Sequence, residues 1–287
     1  MKKLYLILAA LLLVASCKKK DDIQVPVRIH VNDFTITQDT LPSKDGIPEY
    51  NGIKAVTLAF YKTSDGSEQY KETQLRADPS NYTTFGDFSL SLPMGSYTMV
   101  VLGYGLKDGE PAITLTSPTS ATFGDHPVRE TFAATQSVNI TNTNAVEISA
   151  TLSRVIARLQ ISSTDPRTEN AVASRVTFSA GGKSFDPSTG LATTNTGFVN
   201  EVVLGAAVGE IAGTLNYVFL NTDEQTMTIT IDILDGDGNA VYHRVVNDVP
   251  LQRNRKTKLT GSLFSTESST DFEIDTEWIQ TEIVIPL

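Results

Sequence analysis

The residues that could do chemistry are few and far apart. Asp235, Asp237 and Asn239 in DGDGN match positions 1, 3 and 5 of an EF-hand loop, whose side-chain oxygens ring calcium. But Ala240 stands where that loop needs glycine, and Val246 where it needs the bidentate glutamate. The stretch reads instead as a hairpin tip. GGKS, residues 181–184, evokes a phosphate loop, yet Thr177 replaces its first glycine and no helix follows, so it reads as a turn. His30, His126 and His243 have no neighbouring His or Cys with which to share a metal. Gly95-Ser96 lacks the second glycine of a nucleophile elbow. No catalytic residue, metal or cofactor is expected. That leaves Cys17, the single cysteine, between the apolar LLLVAS and the charged KKKDD.

Upstream of Cys17, two lysines precede an apolar run of 12 residues from Leu4 to Ala15, then a small residue. That is the layout of a secretory signal peptide. As a helix the run would rise about 18 Å against roughly 30 Å of hydrocarbon, too short for a permanent span. Its end, VASC, resembles a bacterial lipobox. Val14, Ala15 and Ser16 would be the peptidase recognition residues, and Cys17 the residue that receives diacylglycerol and an N-acyl chain. Two or three acyl chains, at about 0.8 kcal/mol per buried methylene, anchor stably where one does not. The alternative is an ordinary signal peptide with an incidental cysteine, but no second cysteine exists for Cys17 to pair with. Lys18, Lys19, Lys20, Asp21 and Asp22 then form a solvated tether. They also resemble the lysine-then-acid signal that sends some Bacteroidetes lipoproteins to the cell surface.

Removing residues 1–16 leaves 271 of the 287 residues and takes away two of the 23 basic ones. The remaining 21 basic and 33 acidic residues give a net charge of −12, which repels nucleic acid and anionic lipid. With no cysteine pair, the core alone must stabilise the fold. Periodicity is that of strands. Phe88, Leu90 and Leu92 alternate with serines; Met227, Ile229, Ile231 and Ile233 alternate with Thr and Asp; Val146, Ile148, Ala150 and Leu152 do likewise. YTMVVLGY, Tyr97 to Tyr104, is apolar on both faces and reads as a central strand. SDGS (64–67), KDGE (107–110), GGKS and DGDGN carry hairpin chemistry. Around RVIARL (154–159) the alternation shifts phase, as a bulge or short turn would make it do. The expectation is all-β, in two antiparallel sandwich domains after a lipoprotein signal peptide. The divisions are 1–16 signal, 17–24 lipidated tether, 25–140 first domain and 141–287 second domain, with the boundary near the polar ATQSVNITNTN, residues 134–144.

The blocks GIKAVTLAFYKTSDG, DFSLSLPMGSYTMVVLGYG, LSRVIARLQIS, FDPSTGLA and VPLQRNRKTKLTGSLF, in that order after a lipobox, resemble the Bacteroidetes fimbrillins. The resemblance is nearest to their lipid-anchored minor or anchor-type subunits and runs over nearly the whole mature chain. It implies transthyretin-like sandwiches, no enzymatic activity, and polymerisation by strand addition, in which one subunit's strand fills a groove of the next. Partners would be other fimbrial subunits, the outer membrane through the lipid, and a host or bacterial surface ligand. Stalk members are trimmed by an Arg-specific protease. Here Arg28 lies inside the alternation of VPVRIHV, and cutting at Arg76 would remove several strands, so an anchor or accessory role is favoured.

At the C-terminus, Phe272, Ile274, Thr276 and Trp278 share one face of a candidate strand. Ile283, Val284, Ile285 and Leu287 form a second apolar run, either an edge strand or a donor strand for a neighbour, with Pro286 limiting pairing beyond it. Asp39-Thr40-Leu41 resembles a Bacteroidetes O-glycosylation pattern, making Thr40 a candidate acceptor. The alternative function is a binding module for glycan or host ligand. It would use aromatic planes from Tyr50, Tyr61, Tyr70, Tyr82 or Trp278.

Overall fold

A pleated strand sends successive side chains to opposite faces, so a chain alternating branched apolar residues with Ser and Thr can bury one face of every strand. The described residues of this computed structural model, 23–32, 52–265 and 272–278, do so. They form nineteen strands and one 3-10 turn, Pro79–Asn81, and contain no α-helix.

The first ten strands are β1 (Gln24–Asn32), β2 (Ala55–Lys62), β3 (Glu68–Leu75), β4 (Asp87–Pro93), β5 (Gly95–Tyr104), β6 (Thr114–Ser117), β7 (Ser120–Thr122), β8 (Thr131–Ile140), β9 (Val146–Thr151) and β10 (Ser153–Arg154). The rest are β11 (Ala157–Pro166), β12 (Ala173–Phe178), β13 (Ser184–Phe185), β14 (Phe198–Val203), β15 (Ile211–Val218), β16 (Glu224–Leu234), β17 (Ala240–Gln252), β18 (Arg255–Gly261) and β19 (Glu273–Trp278).

One topology occurs twice. In the first half, the sheet β4-β1-β9 faces the sheet β10-β8-β5-β2-β3; in the second, β15-β11-β18-β19 faces β14-β12-β16-β17. The opening strand of each half, β1 or β11, is flanked by an antiparallel neighbour, β4 or β15, and by a parallel one, β9 or β18. In both halves the facing sheet runs in the same order, β3-β2-β5-β8 matching β14-β12-β16-β17. Each sandwich has its own core. Val25, Val27 and Ile29 meet Leu58, Phe60, Met99 and Val101 in the first. Leu159, Ile161 and Leu259 meet Val176, Phe178, Ile229 and Ile231 in the second.

A third core lies where the halves meet. The second face of β2 and β5, with Ala59, Tyr61, Leu102 and Tyr104, packs with Phe123, Phe185, Leu215, Tyr217 and Phe219. That is why Tyr97–Tyr104 is apolar on both faces: β5 lies between β8 and β2 and is covered on each side. Ion pairs are buried in the same region. Arg154 Nη2 is 2.9 Å from Glu130 Oε1, with both side chains under one-tenth exposed, and Arg154 also donates to Asn254 Oδ1 at 3.0 Å. Arg129 pairs with Glu110.

Some local expectations hold and others change. SDGS and DGDGN are hairpin tips, joining β2 to β3 and β16 to β17. KDGE is a turn whose flanking strands, β5 and β6, pair elsewhere. GGKS is not a hairpin: β12 pairs with β14 and β16, while β13 leaves to join β7. Gly181 (φ +73°) is needed there, since a Cβ would lie 2.6 Å from the Phe219 carbonyl oxygen. The polar stretch 134–144, where the boundary is expected, overlaps the strand β8, whose Phe132, Val138 and Ile140 turn into the first core. β9 and β10, beyond the expected boundary at 140/141, hydrogen-bond to β1 and β8. The phase shift at 154–159 is the crossing between halves, where Val155 and Ile156 enter the shared core.

Candidate assembly surfaces

β1 is the strand that would follow the tether. It is seated at the centre of its sheet, with Arg28 opposite Ser89 on one side and Glu147 on the other. Its Val25, Val27 and Ile29 are at most 1% exposed, so the alternation seen in the sequence is one core face of a fully paired strand. The Arg28 side chain points to solvent, 3.9 Å from Glu147. Cleavage after Arg28 would have to open both ladders, a poor substrate for a protease that needs an extended segment. Arg76 is held too: its Nε donates to the Ile53 carbonyl at 3.0 Å and its guanidinium lies 4.1 Å from the Phe85 ring centroid.

The repeat makes one edge informative. In the second half β19 adds antiparallel to the free edge of β18. In the first half the equivalent strand, β9, pairs only with β1 among the described residues, none of which adds a strand to its outer edge. The expected strand at Phe272–Trp278 is therefore real, and it fills in one sandwich a position left unfilled in the other. The backbone after β18, at residues 262–265, is held by two side chains that sequence reasoning missed. Asp165 accepts hydrogen bonds from the backbone N–H of Leu263 and Phe264 and from the Ser262 hydroxyl, each at 2.8 Å. Arg244 donates to the carbonyls of Ser262 (2.9 Å) and Ser265 (2.6 Å). The partners lie almost a hundred residues away along the chain for Asp165, and no local pattern announces such a clamp.

The remaining candidate residues disperse. Asp235 accepts from the backbone N–H of Asp237 and Asn239, both at 2.9 Å, and Gly238 supplies φ +82°. The Asn239 backbone N–H, with other tip donors, holds the Asp235 carboxyl below its usual pKa. That carboxylate serves the hairpin. His30 pairs with Asp87 at 3.0 Å and His243 with Asp232 at 2.6 Å, each across neighbouring strands. Tyr61 cannot be an exposed sugar platform, because it is 1% exposed and burial pushes its phenol up to about 12. Tyr70 hydroxyl is engaged by Glu72, and Tyr82 packs on Phe85 with its hydroxyl donated to the Leu75 carbonyl at 2.9 Å. The rings of Tyr61, Tyr70 and Tyr82 thus do not assemble into one plane. Cys17 with Val14, Ala15, Ser16 and Lys18–Asp22, Thr40, Tyr50, and the run Ile283, Val284, Ile285, Leu287 lie outside the described residues.

The sequence model of a family of unknown function, DUF6562, matches residues 49–285. The chain belongs to that family. No curated protein matches the sequence. A candidate adhesin from Bacteroides ovatus shares the fold at a TM-score of 0.50 and 10% identity, over 78% of this chain and 82% of that one. The fimbrial anchor protein Mfa2 from Porphyromonas gingivalis aligns over 88% of this chain and 95% of its own, at 11% identity and a TM-score of 0.44. A fimbrial assembly protein from Parabacteroides distasonis aligns over 91% and 97%, at 13% identity and 0.42. The structural neighbours of this DUF6562 member are thus Bacteroidetes fimbrial and adhesin-like proteins, as its sequence resemblance anticipates.

Proposed function

We propose that this chain is a lipid-anchored subunit of a cell-surface fimbrium, which holds or caps the fibre by strand addition. The observation that carries this reading is the edge of β9, open among the described residues, set against the filled edge of β18 in the second copy of the same topology. An open edge presents unpaired N–H and C=O groups, and an added strand satisfies them while its alternate side chains extend the core row. On β9 that row is Ile148 and Ala150, both buried against the first core. Ile283, Ile285 and Leu287 have the alternation such a donor needs. Support also comes from the fimbrial and adhesin descriptions of the structural neighbours and from the lipobox-like VASC. On this reading the paired, central β1 is retained, and residues 17–24 tether it to the outer membrane.

Deleting Glu282–Leu287 tests strand donation. The truncated monomer should melt as the full chain does and should no longer co-purify with sheared surface fibres. A truncated protein that melts early and still joins fibres excludes donation by this tail.

A further inference from the structure

The two halves differ in what covers the outer face of their matching strands, β3-β2-β5-β8 and β14-β12-β16-β17. In the first, Ala59, Tyr61, Leu102 and Tyr104 on that face are buried in the shared core. Among the described residues, the equivalent face of β14-β12-β16-β17 is open. It carries three of the six exposed large hydrophobic side chains among the described residues: Val199 (44%), Val203 (68%) and Val245 (37%).

Strand register sorts this face into rows that cross all four strands. One row reads Glu201, Arg175, Asp232, His243. The next reads Val199, Thr177, Thr230, Val245. Within the first, Arg175 Nη2 is 3.0 Å from Glu201 Oε2, and His243 Nδ1 is 2.6 Å from Asp232 Oδ1. Charge therefore alternates from Glu201 through Arg175 to Asp232, and the row read backwards sets Arg175 against Asp232 and Glu201 against the His243 imidazole.

We propose that this face docks a second copy of the chain, face to face, about a two-fold axis parallel to the strands and lying between β12 and β16. That operation sets Arg175 of each copy opposite Asp232 of the other, and Glu201 opposite His243. It also sets Val199 opposite Val245 and Thr177 opposite Thr230, so apolar meets apolar and hydroxyl meets hydroxyl. Residue i meeting j while j meets i is the signature of an isologous interface. Facing sheets pack with strands within about 30° of one another, which this alignment allows. The axis sets six-residue β12 and β14 against β16 and β17, so four strands spaced about 4.8 Å apart and overlapping by about 20 Å bury on the order of 400 Å² a side. The total of roughly 800 Å² lies below that of a stable specific interface, so the dimer is weak and forms where copies are crowded.

Sedimentation velocity on the full chain carrying Cys17→Ala, from micromolar to millimolar concentration, tests it. Self-association is expected, weakened at least tenfold by either Arg175→Glu or Asp232→Arg. Each variant sets like charges opposite each other in its own dimer. A one-to-one mixture pairs Glu with Arg and Arg with Asp between copies, so association should recover. Mixing cannot repair damage within a chain, so recovery reports only contact between copies. A parent that stays monomeric throughout, or a mixture no better than its components, overturns the proposal. In case a charge variant folds poorly, the exposed sites Val199→Cys and Val245→Cys, each in the Cys17→Ala chain, give a second readout. Under oxidant the mixture should form disulfide dimers several-fold faster than either alone. Equal rates overturn the reversed alignment.

Discussion

Phe219→Ala probes whether the two sandwiches fold as one unit. Phe219 is 0% exposed, follows β15 in the second half, and belongs to the shared core rather than to either sandwich alone. Its ring stacks on Phe185 at 4.1 Å and 11°, and on Phe123 at 6.2 Å and 29°. Phe123 in turn meets Tyr104 of β5 edge-on at 6.3 Å. Truncation therefore removes a ring that links the halves and leaves a cavity with aromatic walls on both sides. Such changes cost about 3–5 kcal/mol, because packed surroundings collapse only partly. At about 2–4 °C per kcal/mol for a unit of this size, melting should fall by roughly 10 °C. Differential scanning calorimetry gives the answer, with Phe88→Ala in the first core and Phe178→Ala in the second as controls. If the shared core couples the halves, the parent melts in one transition and all three variants lower it. Two parental transitions, of which Phe219→Ala moves only one, would refute the coupling. So would a shift below about 2 °C, which is too small for a filled aromatic site.

Three further outcomes are expected. The carboxyl of Glu110 is partly buried, which alone would raise its pKa, but hydrogen bonds from Arg129 and the Lys107 N–H, with the Arg129 charge, hold it below 4.5. A lowered carboxylate pKa adds stability above the unfolded value that is lost as pH falls through the folded one. Glu110→Gln should therefore be less stable than the parent at pH 7, with the gap narrowing below about pH 4.5; a gap constant down to pH 3 would remove the ionic explanation. Calcium or a chelator should leave the melting temperature unchanged, since Asp235 is committed to its hairpin; a calcium-dependent rise of several degrees would contradict that assignment. Cys17→Ala should move the secreted protein from the membrane to the soluble fraction, and retention through a carbonate wash would count against lipidation.

Strand content, the central place of Tyr97–Tyr104 and the hairpins at 64–67 and 235–239 were legible in the sequence. Each depends on side-chain alternation or on turn residues a few positions apart, which are local properties. Alternation says which face a residue takes but not which strand lies beside it. GGKS and KDGE have the residues of hairpins, yet their flanking strands pair elsewhere. Residues 134–144 read as a polar boundary because Gln136, Ser137 and Asn139 face solvent, while the strand they belong to turns Phe132, Val138 and Ile140 inward. The parallel pairings β1–β9 and β11–β18 join segments about a hundred residues apart, so only the closed tertiary structure could decide them. From those pairings follow the twofold repeat, the open edge of β9 and the uncovered face of β14-β12-β16-β17. Sequence fixes what each strand can bury. Which edges and faces remain unburied depends on the sum of long-range contacts, and those residual surfaces are where assembly can occur.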